Sequence, residues 1–222
     1  MTLLSDDIAR FVRATGPEPD DVLEEMDEYA EEHGFPHVGS ALGGWLQFLA
    51  RMVDAEHVFE FGSGYGYSAY WFARALPDDG RIVCTEIDED EIEMGREYLA
   101  RGGFGDVVSY EHGDAVEIVD RYDGPFDVVL IDHQKHRYAE AFEAVRDKVA
   151  PGGIVVADNV MTGGTIDFDA LLEAWHGEEP LASDDEMTRG IDEYLHTVRD
   201  DPAFETTVLP LGEGLSVSHR EQ

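Results

Sequence analysis

Val58-Phe-Glu-Phe-Gly-Ser-Gly-Tyr-Gly-Tyr-Ser68 is an apolar run that opens into three glycines at alternate positions and then into a helical stretch. Glycine lets a backbone turn sharply and approach a ligand closely. The turn falls at the carboxyl end of a first strand, where open α/β sheets bind their ligands. The spacing is Gly62-x-Gly64-x-Gly66, one residue short of the G-x-G-x-x-G fingerprint that cradles a pyrophosphate. Glu60, two residues before Gly62, agrees with that departure. A carboxylate there repels phosphate and suits an ammonium group. A tight strand-to-helix turn that binds nothing is the plain alternative.

Outward from this turn the chain alternates. Apolar runs at 57–61, 81–86, 107–111, 126–131 and 152–157 are separated by helical stretches at 68–75, 88–101, 114–121 and 135–149. Strand, turn and helix repeated in this way predict a mostly parallel sheet with helices on both faces. Upstream, residues 5–53 read as helical, with Val22, Leu23, Met26 and Tyr29 at helical spacing, and Leu42, Trp45, Leu46, Phe48 and Leu49 on a second segment over 39–52. Downstream, a helical stretch at 185–198 precedes runs at 204–209 and 215–219. Pro-Leu-Gly-Glu-Gly joins those two runs, and so short a joint permits only an antiparallel hairpin. The expectation is α/β: one domain over 1–222, with N-terminal helices over 1–53 and a core over 54–222. Its mostly parallel seven-stranded sheet ends in an antiparallel hairpin.

Strand ends carry the chemistry. Glu86 closes the second run, 24 positions after Gly62, where a carboxylate accepts hydrogen bonds from both hydroxyls of a ribose. Gly113-Asp114-Ala115 follows the third run and faces the position of a base; Asp114 reads equally as a helix N-cap, and the two roles do not exclude each other. The fourth run ends in Asp132 and the fifth in Asp158-Asn159. Neighbouring strands that stop this way aim three oxygen ligands into one crevice, and oxygen ligation without His or Cys suits a hard cation such as Mg²⁺. Helix caps or turn residues are the bland reading of the same three. Beside them stands Lys135, one of only two lysines in a chain with 13 arginines. Lysine can give up its proton and act as a base, whereas arginine cannot. Lys148 shows that a surviving lysine can also be incidental. His133 and His136 read as orienting or surface residues.

These motifs resemble the catechol and caffeoyl-CoA O-methyltransferase family. Asp132-His-x-Lys-x-Arg-Tyr138, Ala157-Asp-Asn-Val160 and Gly164-Thr-x-Asp-Phe168 are similar to the catechol enzymes; Thr188-Arg-Gly-Ile191, Asp200-Asp-Pro202 and Leu209-Pro-Leu-Gly-Glu-Gly-Leu215 are similar to the caffeoyl-CoA type. The resemblance implies a Rossmann-like methyltransferase fold and S-adenosylmethionine as cofactor. It assigns Val38, Gly39, Glu60, Gly62, Ser68, Glu86, Asp114, Ala115 and Asp132 to the cofactor pocket, and Asp132, Asp158 and Asn159 to Mg²⁺ or another divalent cation. It makes Lys135 the base toward a hydroxyl of a small catechol-like acceptor. It also implies a homodimer through the N-terminal helices. Two departures stand out: Gln134 where the catechol type carries Trp, and Ser216 where alignment through Gly214-Leu215 places a substrate-gripping Glu.

Composition narrows the rest. Fifty acidic residues against fifteen basic ones give a net charge of −35, dispersed rather than gathered in a tail. Lysine-poor, acid-rich surfaces are expected of cytoplasmic proteins in organisms that hold molar salt internally, where screening shortens to about 3 Å. No apolar stretch approaches the roughly 20 residues that cross a bilayer, and no basic start leads into an apolar run, so neither membrane nor secretion is expected. The lone Cys84 sits in an apolar run and reads as buried. A nicotinamide oxidoreductase leaves the metal triad unexplained. A base-nitrogen methyltransferase would carry Asn/Asp-Pro-Pro-Tyr where Ile131-Asp-His-Gln stands, and no basic, aromatic-rich patch suggests nucleic acid. A non-catalytic binding module leaves Lys135 without a purpose.

Overall fold

Seven strands form one sheet in the order β3-β2-β1-β4-β5-β7-β6. The computed structural model describes residues 6–164, 166–177 and 180–222. Ser5 of the expected helical segment, Thr165 of the Gly164-to-Phe168 motif, and Glu178 and Glu179 lie outside the described residues. The strands are β1 (His57–Phe61), β2 (Arg81–Glu86), β3 (Val108–His112), β4 (Phe126–Ile131), β5 (Val149–Ala157), β6 (Phe204–Leu209) and β7 (Leu215–Arg220). The first five run parallel; β7 is antiparallel to both β5 and β6, so the hairpin closes one edge.

Three helices lead in: α1 (Asp6–Thr15), α2 (Asp21–His33) and α3 (Gly39–Met52). Between strands lie α4 (Tyr67–Ala73), α5 (Glu89–Arg101), α6 (Ala115–Val119) and α7 (Tyr138–Val145), and then α8 (Phe168–His176) and α9 (Glu186–Asp200). Part of the acid-rich composition serves the helix starts. Asp20, Asp88, Asp114, Asp167 and Asp185 each cap a helix, the side chain accepting from a backbone N–H of the first turn. Such caps satisfy orphan donors and place negative charge at the positive end of the helix.

The helix expected over 135–149 is instead three pieces. Lys135–Arg137 is a 3₁₀ turn, α7 covers eight residues, Arg146–Lys148 is a second 3₁₀ turn, and Val149 already belongs to β5. Pro151 lacks an N–H and Gly152 sits at φ 85°, so β5 begins irregularly and the apolar pattern alone marks only its regular part. The 168–176 helix, marked by Asp167 at its cap and by Phe168, Leu171, Leu172 and Trp175 at helical spacing, falls outside the expected strand-by-strand alternation.

Alternation along β1 divides the core. Val58 packs with α2, α3, α4 and α5 on one face, through residues such as Met26, Leu46, Trp71 and Leu99. Phe59 and Phe61 pack with α6, α7 and α9 on the other, through Ile118, Phe142 and Tyr194. Successive side chains of a strand point to opposite faces, so Glu60 shares the face of Val58, where it is fully buried. Among the described residues no helix is long and apolar enough to cross a membrane.

Candidate active site

Register decides which side chains meet. Phe61 pairs with Thr85 and Ile131, and Ile131 pairs with Ala157. Gly62, Glu86, Asp132 and Asp158 therefore leave the sheet together at its carboxyl edge, and a cavity of about 750 Å³ opens there. Val38, Gly62, Ser68, Glu86, Asp114, Ala115, Asp132, Lys135, Asp158 and Asn159 all line it. Two of the residues expected in the cofactor pocket do not. Gly39 begins α3 just behind Val38, and Glu60 lies beneath the glycine turn with no exposed surface.

At the β1–β3 end of the cavity, backbone groups do most of the holding. Glu86 Oε2 accepts from Gly64 N at 2.9 Å, and Oε1 accepts from Ile87 N at 2.7 Å and Asp88 N at 3.2 Å. Asp114 Oδ1 accepts from Val116 N at 2.9 Å, and Oδ2 takes Arg137 Nη1 at 2.7 Å. Arg137 holds the Asp114 carboxyl below the usual carboxylate range. The cap role of Asp114 is thus observed, and its carboxylate still lines the cavity. Gly62 has φ 82°, and a Cβ there would lie 2.6 Å from the Asp132 carbonyl oxygen; no other residue lets the first turn come so close to the loop after β4. Glu60 receives Cys84 Sγ at 3.4 Å, while its Oε1 is buried without a partner. Burial pushes its pKa up to about 7.

The β4–β5 end is built from side chains. Lys135 Nζ donates to Asp132 Oδ1 at 2.9 Å from within the 3₁₀ turn that replaced the expected helix start. Asp158 is buried, and its Oδ1 accepts from Asn159 N at 2.7 Å. Burial, and next the neighbouring Asp132 carboxylate, push the Asp158 carboxyl well above the usual range. Tyr138, fully buried, donates to the Asp158 carbonyl at 3.2 Å and braces both loops. His133 stacks on Tyr138 at 5.6 Å with both ring nitrogens buried and unpartnered. Burial pushes its pKa down to about 4, so it stays neutral at pH 7. His136 is exposed.

The hairpin corrects one sequence expectation. Ser216 pairs with Ala157 inside the sheet and is buried, sharing a 3.0 Å hydrogen bond with Tyr194 Oη; it does not line the cavity. The carboxylate that does come from the hairpin is Glu213, whose Oε2 accepts from Asn159 Nδ2 at 2.7 Å. Sequence reading passed over Glu213. Its signal was an acid between two glycines in the hairpin turn, but its partner lies 54 residues away and only the β5–β7 pairing brings them together.

The oxygen set fits a hard divalent cation. Two carboxylates leave adjacent strands side by side, one of them in a buried position where its charge is costly, and Asn159 adds an amide. A cation would relieve that repulsion. Among the described residues no group of three or more His, Cys, Asp and Glu side chains forms a metal cluster. The set here is two carboxylates and an amide.

A family described as O-methyltransferase matches this sequence over residues 15–221. The chain belongs to the O-methyltransferase family. Among this enzyme's relatives is a catechol O-methyltransferase of Niastella koreensis, 34% identical over 153 residues that cover 66% of this chain and 69% of the relative. A caffeoyl-CoA O-methyltransferase of Petroselinum crispum is 26% identical over 235 residues, 98% of this chain and 92% of the relative. Among solved structures, an O-methyltransferase of Streptomyces achromogenes involved in tomaymycin synthesis, determined in complex with SAM, superposes with a TM-score of 0.83 at 25% identity. The match covers 97% of this chain and 96% of that one.

Proposed function

We propose that this O-methyltransferase moves the methyl group of S-adenosylmethionine to a hydroxyl of a small acceptor carrying two neighbouring oxygens, with Mg²⁺ or a similar cation at Asp132, Asp158 and Asn159. The observation that carries the reading is the single cavity whose two ends differ in chemistry. Glu86 and the glycine turn stand at one end, and the Asp132–Lys135 pair with Asp158 at the other.

At the first end Glu86 accepts from the ribose hydroxyls, while Gly113 to Ala115 and Ile87 border the base. Glu60, buried below the turn, acts on the methionine ammonium through the intervening turn and not by contact. At the second end Asp132, Asp158 and Asn159 would hold a divalent cation, which would lower the pKa of a neighbouring hydroxyl, roughly 10 for a free phenol. Lys135, after giving its own proton to solvent, takes the hydroxyl proton. The oxygen lone pair forms the new O–CH₃ bond as the C–S bond breaks, its electrons returning to sulfur. S-adenosylhomocysteine and the methyl ether leave, and the proton on Lys135 passes to solvent. Placing both reactants in one cavity supplies much of the rate.

Gln134, exposed at the cavity rim, leaves that edge wide, so larger catechol-bearing compounds are preferred over catechol itself. The dispersed −35 charge fits a cytoplasm of high salt. The test is a panel of catechols and matched monohydroxy phenols assayed with labelled cofactor, in Mg²⁺ and in EDTA. Methylation of catechols that stops in EDTA is expected. Equal rates on the monohydroxy compounds, or full activity in EDTA, overturn the two-oxygen model.

A further inference from the structure

Asn159 is the only asparagine in the chain, against 50 acidic residues. It holds a left-handed backbone at φ 58°, one of two non-glycine residues among those described to do so. Asparagine tolerates that conformation better than most residues, though glycine or aspartate would tolerate it as well. Conformation alone therefore does not explain the choice of an amide.

Glu213 does. An ionised carboxylate only accepts hydrogen bonds, so the amide edge that meets Glu213 Oε2 at 2.7 Å is the Nδ2–H edge. The opposite edge of the same planar group is the oxygen. Glu213 is itself well anchored. Its carbonyl accepts from Met161 N at 3.1 Å and Thr162 N at 2.8 Å, and Gly214 O accepts from Val160 N at 2.9 Å. The hairpin turn is thus tied to the loop that carries Asn159 by backbone bonds that do not involve the carboxylate. Space for the carboxylate is also provided, since a Cβ on Gly163 would overlap it.

We propose that Glu213 is a positioning residue that fixes the flip of the Asn159 amide, so that Oδ1 and not Nδ2 is presented to a cation. The inference rests on the metal reading above and deepens it. It explains the amide on two counts. A third carboxylate beside Asp132 and Asp158 would face Glu213 and be repelled, whereas the amide gives Glu213 a donor and the cation a neutral oxygen. Partners behind a ligand typically change metal affinity by about 10- to 100-fold when removed.

The experiment has two arms. In the first, metal-free protein carries ¹⁵N only on asparagine, so a single side-chain amide pair appears in the spectrum. Its hydrogen-bonded proton lies downfield in the wild type and moves upfield in Glu213→Ala; an unmoved resonance overturns the orienting bond whatever the metal does. In the second, Mn²⁺ is titrated and the free ion is read by electron paramagnetic resonance. Glu213→Ala is expected to raise the Kd about 10-fold or more, and Glu213→Gln, which keeps an acceptor oxygen, to stay within about threefold of wild type. In an Asn159→Asp background the sign reverses, because Glu213→Ala then removes a repulsion and tightens binding. If Glu213→Gln loses as much as Glu213→Ala, or the sign does not reverse, Glu213 acts by charge and the orienting role falls. Wild-type protein that binds no Mn²⁺ overturns the metal reading itself. Wild-type binding with an unaltered Glu213→Ala overturns the orienting role alone.

Discussion

The two ends of the cavity are made differently. At the β1–β3 end the carboxylates of Glu86 and Asp114 are already held in place, by three backbone N–H groups in one case and by a backbone N–H with Arg137 in the other. At the β4–β5 end Asp132 and Asp158 crowd each other, and Lys135 is the cation paired with Asp132. The first end is preorganised by the main chain and retains its shape without a ligand. The second gathers like charges that Lys135 offsets only in part, so a further positive species is favoured there. The lesson is that the two ends should fail separately when mutated.

The strongest attempt to break that contrast is Asp158→Ala. Turnover should fall below detection, since several kcal/mol of transition-state stabilisation is removed, while calorimetry should show cofactor affinity within about threefold of wild type. Parallel loss of cofactor binding would mean that the two ends are one site. Lys135→Arg comes next. It preserves the charge beside Asp132 but not the base, and single-turnover rates should drop by about 10²–10⁴-fold. Normal turnover would reduce Lys135 to an electrostatic support for Asp132.

Glu86→Ala probes the preorganised end. It removes the ribose acceptor and also frees Gly64 N, Ile87 N and Asp88 N, so cofactor binding should weaken by roughly 1.5–3 kcal/mol. Mn²⁺ affinity should not change. Glu60→Gln sharpens the contrast through pH. Glu60 stands at about 7 in the fold against 4.5 in the unfolded chain. The stability tied to its neutral form is therefore complete below about pH 4.5 and is lost as pH rises through 7. The variant escapes that loss, so its Tm should gain on wild type by a few degrees between pH 5 and pH 8. A constant gap would show that Glu60 is not taking up charge in the core. The smallest expected effect is global. Raising KCl from about 0.1 M to several molar should increase Tm, because −35 charges on 222 residues repel one another until screened. A flat or falling Tm would argue against adaptation to salt.

The contrast also marks what a linear sequence could reveal. The β1–β3 end of the cavity was legible because glycine turns and strand-final acids lie in local order, within a few residues of the apolar runs that place them. The place of Asp132 and of the Asp158-Asn159 pair at the cavity was legible for the same reason: Asp132 directly follows β4 and the pair directly follows β5, both rich in β-branched, apolar residues. Glu60 was placed correctly on β1 but not in depth, since alternation assigns a face and does not tell how thickly α4 covers it. The break at 135–149 was hidden because the flanking 3₁₀ turns, Lys135–Arg137 and Arg146–Lys148, carry no glycine or proline to mark it. Ser216 was set at the site and Glu213 passed over because local motif similarity does not show that β7 inserts between β5 and β6. Only that insertion brings residue 213 beside residue 159.

The hairpin turn that carries Glu213 also sets an order in time. Every side chain at the cofactor end precedes residue 138, so the ribosome delivers that end first. Asn159 is not oriented until residue 213 has emerged and β7 has inserted. At typical synthesis rates of about 5–20 residues per second, the two events are separated by roughly 4–15 s. For that interval the nascent chain carries every residue of its cofactor end while its acceptor end lacks a final brace.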